Sequence, residues 1–224
     1  MIVNDRIQDY ILSLEMGNGE LADSIEAEAL KDGIPIIRRE TAALLKTIIT
    51  AKAPENILEV GTAVGYSALL MSHVMPKRCH ITTIEKYEPR IKAAKENFRR
   101  AGEEERITLL EGDAWEHLEK LSQERKKFDF VFMDAAKGQY LYWLPVILSM
   151  LPEGGILFSD NVFQGGDIVQ SRYAVERRDR TIHKRMREYL YELTRHKELQ
   201  TALIPVGDGA AFSVKTGKGM KKYL

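Results

Sequence analysis

From residue 57 onwards, the sequence alternates between short apolar runs and longer amphipathic stretches, and this pattern constrains the fold more than any other feature. The first five runs are separated by segments with helical periodicity. Such alternation is typical of β-α units, in which helical crossovers join parallel strands. It predicts a doubly wound α/β fold with seven strands, over residues 57–61, 80–85, 106–111, 128–134, 155–160, 199–205 and 210–215.

The last two predicted strands are separated only by Val-Gly-Asp-Gly at residues 206–209. So short a connection favours an antiparallel hairpin, because a parallel crossover needs about a dozen residues or more. We therefore expect six parallel strands and a reversed last strand. Ahead of the sheet, apolar residues from Ile7 to Leu14 recur at helical spacing, and residues 1–54 are predicted to be a helical lead-in.

No linker or repeat divides the 224 residues, so we predict one domain over residues 1–216, with an α/β core over 55–216 and a disordered tail over 217–224. Equal numbers of basic and acidic residues, 33 of each, give no overall charge that would favour a nucleic acid or a membrane. The single Cys79 and the absence of a signal-peptide pattern or a long apolar run indicate a soluble, cytoplasmic protein.

The first strand-to-helix turn reads LEVGTAVGYS at residues 58–67. Open parallel sheets bind ligands at such turns. Gly61 and Gly65 lie four residues apart, whereas a dinucleotide-binding turn requires the pattern G-x-G-x-x-G. The looser turn suits a ligand without phosphates, such as the amino-acid part of S-adenosylmethionine, held by backbone groups and the hydroxyl of Ser67.

Carboxylates follow the second and third predicted strands. Glu85 is placed to accept hydrogen bonds from both hydroxyls of a ribose, and Asp113 with Ala114 to bracket the edge of an adenine. Each of these residues taken alone fits a tight turn or a helix N-cap equally well. Their order along the chain favours one adenosine site.

Two further strand ends carry oxygen ligands. The fourth predicted strand ends at Asp134, and the fifth runs into Asp160 and Asn161. A set of oxygen donors without His or Cys favours a hard cation such as Mg²⁺. A helix N-cap at Asp134 and a plain turn at 160–161 are the structural alternatives.

Lys137 lies three residues after Asp134. Methyl transfer to oxygen needs an oxyanion, and a coordinated cation lowers the pKa of the acceptor hydroxyl. A lysine beside a cation and partly desolvated loses its proton more easily. Lys137 is therefore the predicted base, with a solvated surface charge as the alternative.

These motifs resemble those of the cation-dependent O-methyltransferases, which include catechol and caffeoyl-CoA O-methyltransferases and their bacterial relatives. The resemblance extends over nearly the whole chain. It implies the class I, Rossmann-like methyltransferase fold, S-adenosylmethionine and Mg²⁺ or Mn²⁺ as cofactors, and a homodimer. It rests on LEVGTAVGYS as the cofactor loop, TIEKYEP as the ribose-binding strand, GDA as the adenine turn, and FMDAAKGQY with SDN as the metal and base motifs.

The resemblance also implies residue roles. Asp134, Asp160 and Asn161 would bind the metal, and Lys137 would act as the base. Residues 34–37 match a less specific segment that closes over the methionine end. The residues assigned in this way to S-adenosylmethionine are Ile36, Glu59, Gly61, Gly65, Ser67, Glu85, Asp113, Ala114 and Asp134.

Within this family, DAAKGQY, SDNV and IPVGDG resemble the bacterial tRNA 5-hydroxyuridine methyltransferase branch. The implied acceptor is the wobble uridine of a tRNA anticodon loop, converted to 5-methoxyuridine. Its 5-hydroxyl and 4-carbonyl can chelate a metal much as a catechol does, so a small-molecule catechol or caffeoyl-CoA-type enzyme is the alternative. A non-catalytic RNA-binding module and a nicotinamide oxidoreductase fit the motifs less well.

Residues 172–197 are locally basic, with nine Lys or Arg against four acidic residues. Helical spacing predicts one cationic face that follows RNA phosphates. A solvated face with ion pairs four residues apart is the alternative. The predicted RNA-binding residues are Arg177, Arg180, Lys184 and Arg187.

Overall fold

The computed structural model describes residues 4–217. They separate into two compact units, residues 4–117 and residues 118–217. The predicted disordered tail lies outside the described residues except for Gly217, and a single domain over residues 1–216 stays a prediction. No helix within residues 4–217 is long and apolar enough to cross a membrane.

Three helices precede the first strand, as the helical lead-in predicted. The side chain of Asn4 caps the first of them by accepting a hydrogen bond from the N–H of Arg6. This helix buries none of its own side chains, so its apolar face lies exposed. The helices are α1 (Asp5–Ser13), α2 (Glu20–Lys31) and α3 (Arg39–Lys52).

The first unit contains three parallel strands in the order β3-β2-β1. Helix α5 has Pro89 in its first turn and is capped by Gly102, whose φ of 66° lies in the left-handed region that favours glycine. Helix α6 continues into the second unit. The elements are β1 (Asn56–Val60), α4 (Tyr66–Val74), β2 (His80–Glu85), α5 (Glu88–Ala101), β3 (Ile107–Glu111) and α6 (Ala114–Gln123).

The second unit contains four strands in the order β4-β5-β7-β6. The first two are parallel, and β7 runs antiparallel to both of its neighbours. The seven strands form one mixed sheet, which confirms the prediction of six parallel strands and a reversed last one. The elements are β4 (Phe130–Met133), α7 (Tyr140–Met150), β5 (Ile156–Ser159), α8 (Arg180–Arg195), β6 (Leu199–Ile204) and β7 (Ala210–Lys215).

Strands β4 and β5 are buried at every position. Their sequences, FVFM and ILFS, do not alternate between apolar and polar residues. Uninterrupted apolar strands are typical of parallel sheets that are covered on both faces. The charged side chains Asp134 and Asp160 lie directly beyond the ends of these two strands.

The predicted basic face needs one correction. Helix α8 begins at Arg180, and Arg177 lies in the preceding turns rather than on the helix. Those turns are stabilised by Arg180, whose guanidinium donates to the carbonyl oxygens of Val175 and Tyr173 at 3.2 and 3.3 Å. The prediction that Arg177 shares a helical face with Lys184 is therefore wrong.

Candidate active site

Glu59 is the centre of the predicted cofactor turn. Its carboxylate is fully buried and accepts hydrogen bonds from the hydroxyls of Thr62, Ser67 and Thr83. The Ser67 hydroxyl, which was predicted to bind a ligand, thus donates its hydrogen bond to Glu59. A buried carboxylate needs such donors, so Glu59 fixes the shape of the turn from beneath.

The backbone of the turn requires small residues. Gly61, Ala63 and Gly65 all have positive φ, at 95°, 46° and 84°. A Cβ on Gly65 would lie 2.6 Å from Cε1 of Phe98, so a larger residue cannot fit there. The N–H groups of Gly61 and Gly65 donate to the carbonyl oxygens of Ile84 and Thr62 at 3.1 and 2.7 Å. The turn is therefore fixed from within the protein, and its contact with a cofactor stays a prediction.

Glu85 lies beside this turn. One of its carboxylate oxygens accepts from the N–H of Ala63 at 3.0 Å, and the other accepts from the N–H groups of Lys86 and Tyr87 at 2.8 and 2.9 Å. Each carboxylate oxygen has more than one acceptor site. Glu85 therefore holds the turn in place and keeps capacity for further donors such as ribose hydroxyls.

Asp113 caps α6 by accepting from the N–H of Trp115 at 2.9 Å, as the helix-cap alternative predicted. The adjoining Gly112 donates its N–H to the carbonyl oxygen of Glu85 at 2.9 Å. Asp113 and Ala114 thus directly follow a residue that is hydrogen-bonded to Glu85, the candidate ribose ligand. Ile36 lies half-buried between α2 and α3, and its role stays a prediction.

In the second unit, Asp134 and Asp160 follow neighbouring parallel strands. The N–H of Asp160 donates to the carbonyl oxygen of Met133 at 3.0 Å, which fixes the two strand ends together. Asn161 adopts a left-handed backbone conformation with φ of 55°, and its N–H donates to Oδ1 of Asp160 at 2.7 Å. The structure brings together the three predicted metal-binding residues.

The pKa values of Asp134 and Asp160 are both raised, as is typical of carboxyl groups that bind a cation. Burial, and next the charge of Asp134, raise the pKa of Asp160 to about 7. Burial also raises the pKa of Asp134, against the ammonium of Lys137, which lowers it. Lys137 begins a short 3₁₀ helix, Lys137–Gln139, and lies half-buried where its charge acts on both carboxyls.

The sequence model of the O-methyltransferase family matches residues 22–216. The chain belongs to this family. It is 30% identical to tapetum-specific methyltransferase 1 of Arabidopsis thaliana over 178 residues, which cover 79% of this chain and 75% of that protein.

Solved structures of other O-methyltransferases have the same fold. A Staphylococcus aureus protein assigned as a caffeoyl-CoA O-methyltransferase is 29% identical, with a TM-score of 0.85 over 92% of this chain and 98% of that one. An O-methyltransferase from Bacillus cereus in complex with SAH has a TM-score of 0.83 at 19% identity over 94% and 97% of the two chains. The predicted class I methyltransferase fold is therefore confirmed.

The donor set of this O-methyltransferase fits a divalent cation. Oδ2 of Asp160 is buried and, among the described residues, has no hydrogen-bond partner. Leaving a buried carboxylate oxygen unpaired is costly, and a hard cation would satisfy it. No group of three or more His, Cys, Asp or Glu within residues 4–217 is arranged for a metal, so the candidate set is two carboxylates and the amide of Asn161.

Sequence reasoning missed Asp208, whose charge also raises the pKa of Asp134 and of Asp160. Its hairpin is bonded to the segment after Asp160, because Phe163 and Val162 donate their N–H groups to the carbonyl oxygens of Asp208 and Gly209 at 2.9 Å. A Cβ on Gly209 would lie 2.3 Å from the ring of Phe163. The IPVGDG motif contains this residue, but its resemblance to the tRNA branch gave Asp208 no role of its own.

The basic residues of α8 are partly engaged within the protein. Arg180 also lies over the ring of Tyr173, at 5.8 Å from its centroid. Lys184 pairs with Glu188 at 3.6 Å, and Arg187 donates to the carbonyl oxygen of Gln170 at 3.4 Å. Lys184 and Arg187 are nevertheless exposed, and exposed pairs contribute little, so both remain accessible to phosphates.

Proposed function

We propose that this O-methyltransferase uses S-adenosylmethionine and a divalent cation, Mg²⁺ or Mn²⁺, to methylate 5-hydroxyuridine at the wobble position of tRNA, which yields 5-methoxyuridine. The observation that carries the proposal is the buried Asp160 oxygen without a partner, next to Asp134 and within reach of the charge of Lys137. An O-methyltransferase needs an ionised acceptor oxygen, and this cluster can create one.

The residues of the cluster divide the chemistry between them. Asp134, Asp160 and Asn161 would hold the cation, which supplies Lewis acidity to a coordinated hydroxyl. The amine of Lys137 takes the hydroxyl proton. The acceptor oxygen then forms its bond to the methyl carbon as the carbon–sulfur bond breaks, which leaves S-adenosylhomocysteine.

S-adenosylmethionine as the methyl donor is supported by the first unit. The turn that contains Gly61 and Gly65 has the left-handed backbone conformation of a tight strand-to-helix turn, and Glu85 beside it retains acceptor capacity for a ribose. The similar Bacillus cereus enzyme was solved with SAH. That protein shares the fold, and its ligand is the demethylated form of the proposed donor.

A tRNA acceptor is supported by the likeness of DAAKGQY, SDNV and IPVGDG to the tRNA branch. The exposed cations of Arg177, Lys184 and Arg187 can contact phosphates, and a single-stranded anticodon loop can present an unpaired base. Such an acceptor implies a cytoplasmic location. The second candidate is a caffeoyl-CoA-type small-molecule enzyme, which the assignment of the Staphylococcus aureus relative favours.

A homodimer is supported by α1. Ile7 and Tyr10 on this helix and Leu14 directly after it are 54%, 66% and 64% exposed, an apolar face that association would cover. In analytical ultracentrifugation, Tyr10→Ser with Leu14→Ser should shift wild-type dimer towards monomer. Leu30→Ser, at an equally exposed position on α2, should not. A monomeric wild type would contradict the dimer.

The test of function is methyl incorporation from labelled S-adenosylmethionine into tRNA carrying 5-hydroxyuridine and into a simple catechol, each with and without EDTA. We expect labelling of the tRNA that EDTA abolishes and added Mg²⁺ restores. Asp160→Ala should be inactive, while Asp167→Ala, an exposed carboxylate of the same unit, should retain activity. Labelling of catechol alone would favour the small-molecule candidate, and labelling that persists in EDTA would contradict the metal role.

A further inference from the structure

Tyr140 forms hydrogen bonds with the residues on both sides of Asp134. Its side chain is fully buried, and its hydroxyl donates to the carbonyl oxygen of Met133 at 3.1 Å. The same hydroxyl accepts from the N–H of Ala135 at 3.0 Å. One phenol oxygen therefore bonds the residues on both sides of Asp134 and fixes the direction in which that carboxylate leaves the strand.

Tyr189, on α8, makes a contact next to the second carboxylate, Asp160. It too is fully buried, and its hydroxyl lies 2.6 Å from Oγ of Ser159, the residue before Asp160. The two tyrosine rings contact each other edge to face, with centroids 5.5 Å apart. The Tyr140–Tyr189 pair thus links the backbone on both sides of Asp134 with the side chain of the residue before Asp160.

Phenylalanine would fill the same volume as either tyrosine without burying a polar atom. Burying a hydroxyl is costly unless it is hydrogen-bonded, and here both hydroxyls bond next to a candidate ligand. Burial raises the pKa of both phenols, so both stay neutral and add no charge to the site. The two hydroxyl groups therefore fix the positions of neighbouring residues and contribute no charge.

We propose that Tyr140 and Tyr189 are positioning residues for the divalent cation. Tyr140 holds the backbone on both sides of Asp134 and Tyr189 holds the side chain of Ser159 before Asp160, so that the two carboxylates keep the separation which a small ion requires. The proposal rests on the metal site of the proposed function. Mg²⁺ demands near-ideal octahedral geometry at short distances. Groups that orient metal ligands without touching the metal typically change affinity by about 10–100-fold.

The test is the dissociation constant of Mn²⁺, measured by electron paramagnetic resonance of the unbound ion, in the full chain without acceptor. Tyr140→Phe and Tyr189→Phe should each weaken Mn²⁺ binding by about 10-fold or more, with S-adenosylmethionine affinity unchanged. Saturating metal should restore part of the activity. Matched controls are Tyr142→Phe on α7 and Tyr191→Phe on α8, which are 57% and 59% exposed and should bind Mn²⁺ as the wild type does.

Two outcomes separate the possible failures. Wild-type Mn²⁺ affinity in both buried-tyrosine variants would overturn the positioning role while leaving the metal site intact. A wild-type protein that binds no Mn²⁺, or an Asp160→Asn variant that binds it normally, would overturn the metal site itself. If Tyr140→Phe does not fold, Ser159→Ala removes the hydroxyl contact of Tyr189 while keeping both rings, and the same loss of affinity is expected.

Discussion

Asp134 and Asp160 leave the sheet side by side, because the residues before them, Met133 and Ser159, are register partners on neighbouring parallel strands. The shared register brings the buried Asp160 next to the half-buried Asp134, and each is harder to ionise than an exposed acid. Buried like charges are unfavourable unless a proton or a cation neutralises them. The pair should therefore respond strongly to pH and to metal.

Stability without metal should fall as pH rises. Since the pKa of Asp160 is raised to about 7 from 3.8, the folded state holds a proton that the unfolded state releases between these values. The contribution of Asp160 to the unfolding free energy is therefore largest at low pH and is lost through this window, by about 2 kcal/mol between pH 5 and pH 7.5. Thermal unfolding in EDTA across this range measures the slope.

The matched control for that slope is Asp160→Asn, which should flatten it because the amide does not titrate. Adding Mg²⁺ should raise the melting temperature of the wild type near pH 7.5 and much less near pH 5. A wild-type melting temperature in EDTA that rises with pH over this window would contradict the neutral-pair interpretation.

Replacing Lys137 with alanine should abolish turnover and leave cofactor affinity nearly intact. Its charge acts on the acceptor-side carboxyls, and loss of a general base typically costs about 10²–10⁴-fold in rate. Single-turnover kinetics and calorimetric titration of S-adenosylmethionine measure the two effects. Lys126→Ala, an exposed lysine of the same unit, serves as the control, and a large loss of cofactor binding in Lys137→Ala would contradict the assignment.

Gly65→Ala should destabilise the first unit and weaken cofactor binding. The new Cβ would lie 2.6 Å from Phe98 in addition to the strain of φ at 84°, so we expect a loss of about 2–4 kcal/mol in urea unfolding. Gly102→Ala is the matched control, because φ is 66° there and no atom lies within 4 Å of the added Cβ. It should lose only about 1 kcal/mol, and equal losses would contradict the clash.

Arg177→Ala combined with Lys184→Ala should weaken tRNA binding and reduce its salt dependence. Both side chains are exposed, and each phosphate contact contributes close to one unit of the slope against salt. Arg180 is left intact because it stabilises the preceding turns. Filter binding across salt concentrations gives the slope, and an unchanged slope would make this surface irrelevant to RNA.

The sheet could be predicted because each strand is indicated by the residues of its own segment. Short, largely apolar runs such as residues 128–134 favour buried strands, and the four-residue hairpin at 206–209 leaves no room for a parallel crossover. The pairing of Asp134 with Asp160 followed from the same reasoning, since the carboxyl ends of parallel neighbours meet. Strand directions and the proximity of these two carboxylates could thus be predicted from one pattern.

Contacts between distant segments could not be predicted in this way. Asp208 reaches the carboxylate pair through a hairpin that has no periodic relation to it. Tyr189 matched an ordinary apolar position of α8, and only the fold reveals that its hydroxyl meets Ser159. Arg177 was misplaced because helical spacing does not reveal where the turns before Arg180 end.

Surface hairpins are the usual places for inserting epitope tags or grafted peptides, but the hairpin at Gly209 should reject them. Its backbone lies so close to the ring of Phe163 that even a methyl group would clash, and it accepts the N–H groups of the chain leaving Asp160. For protein engineering, this loop behaves as part of the interior. Fusions and circular permutations should be made elsewhere in the chain.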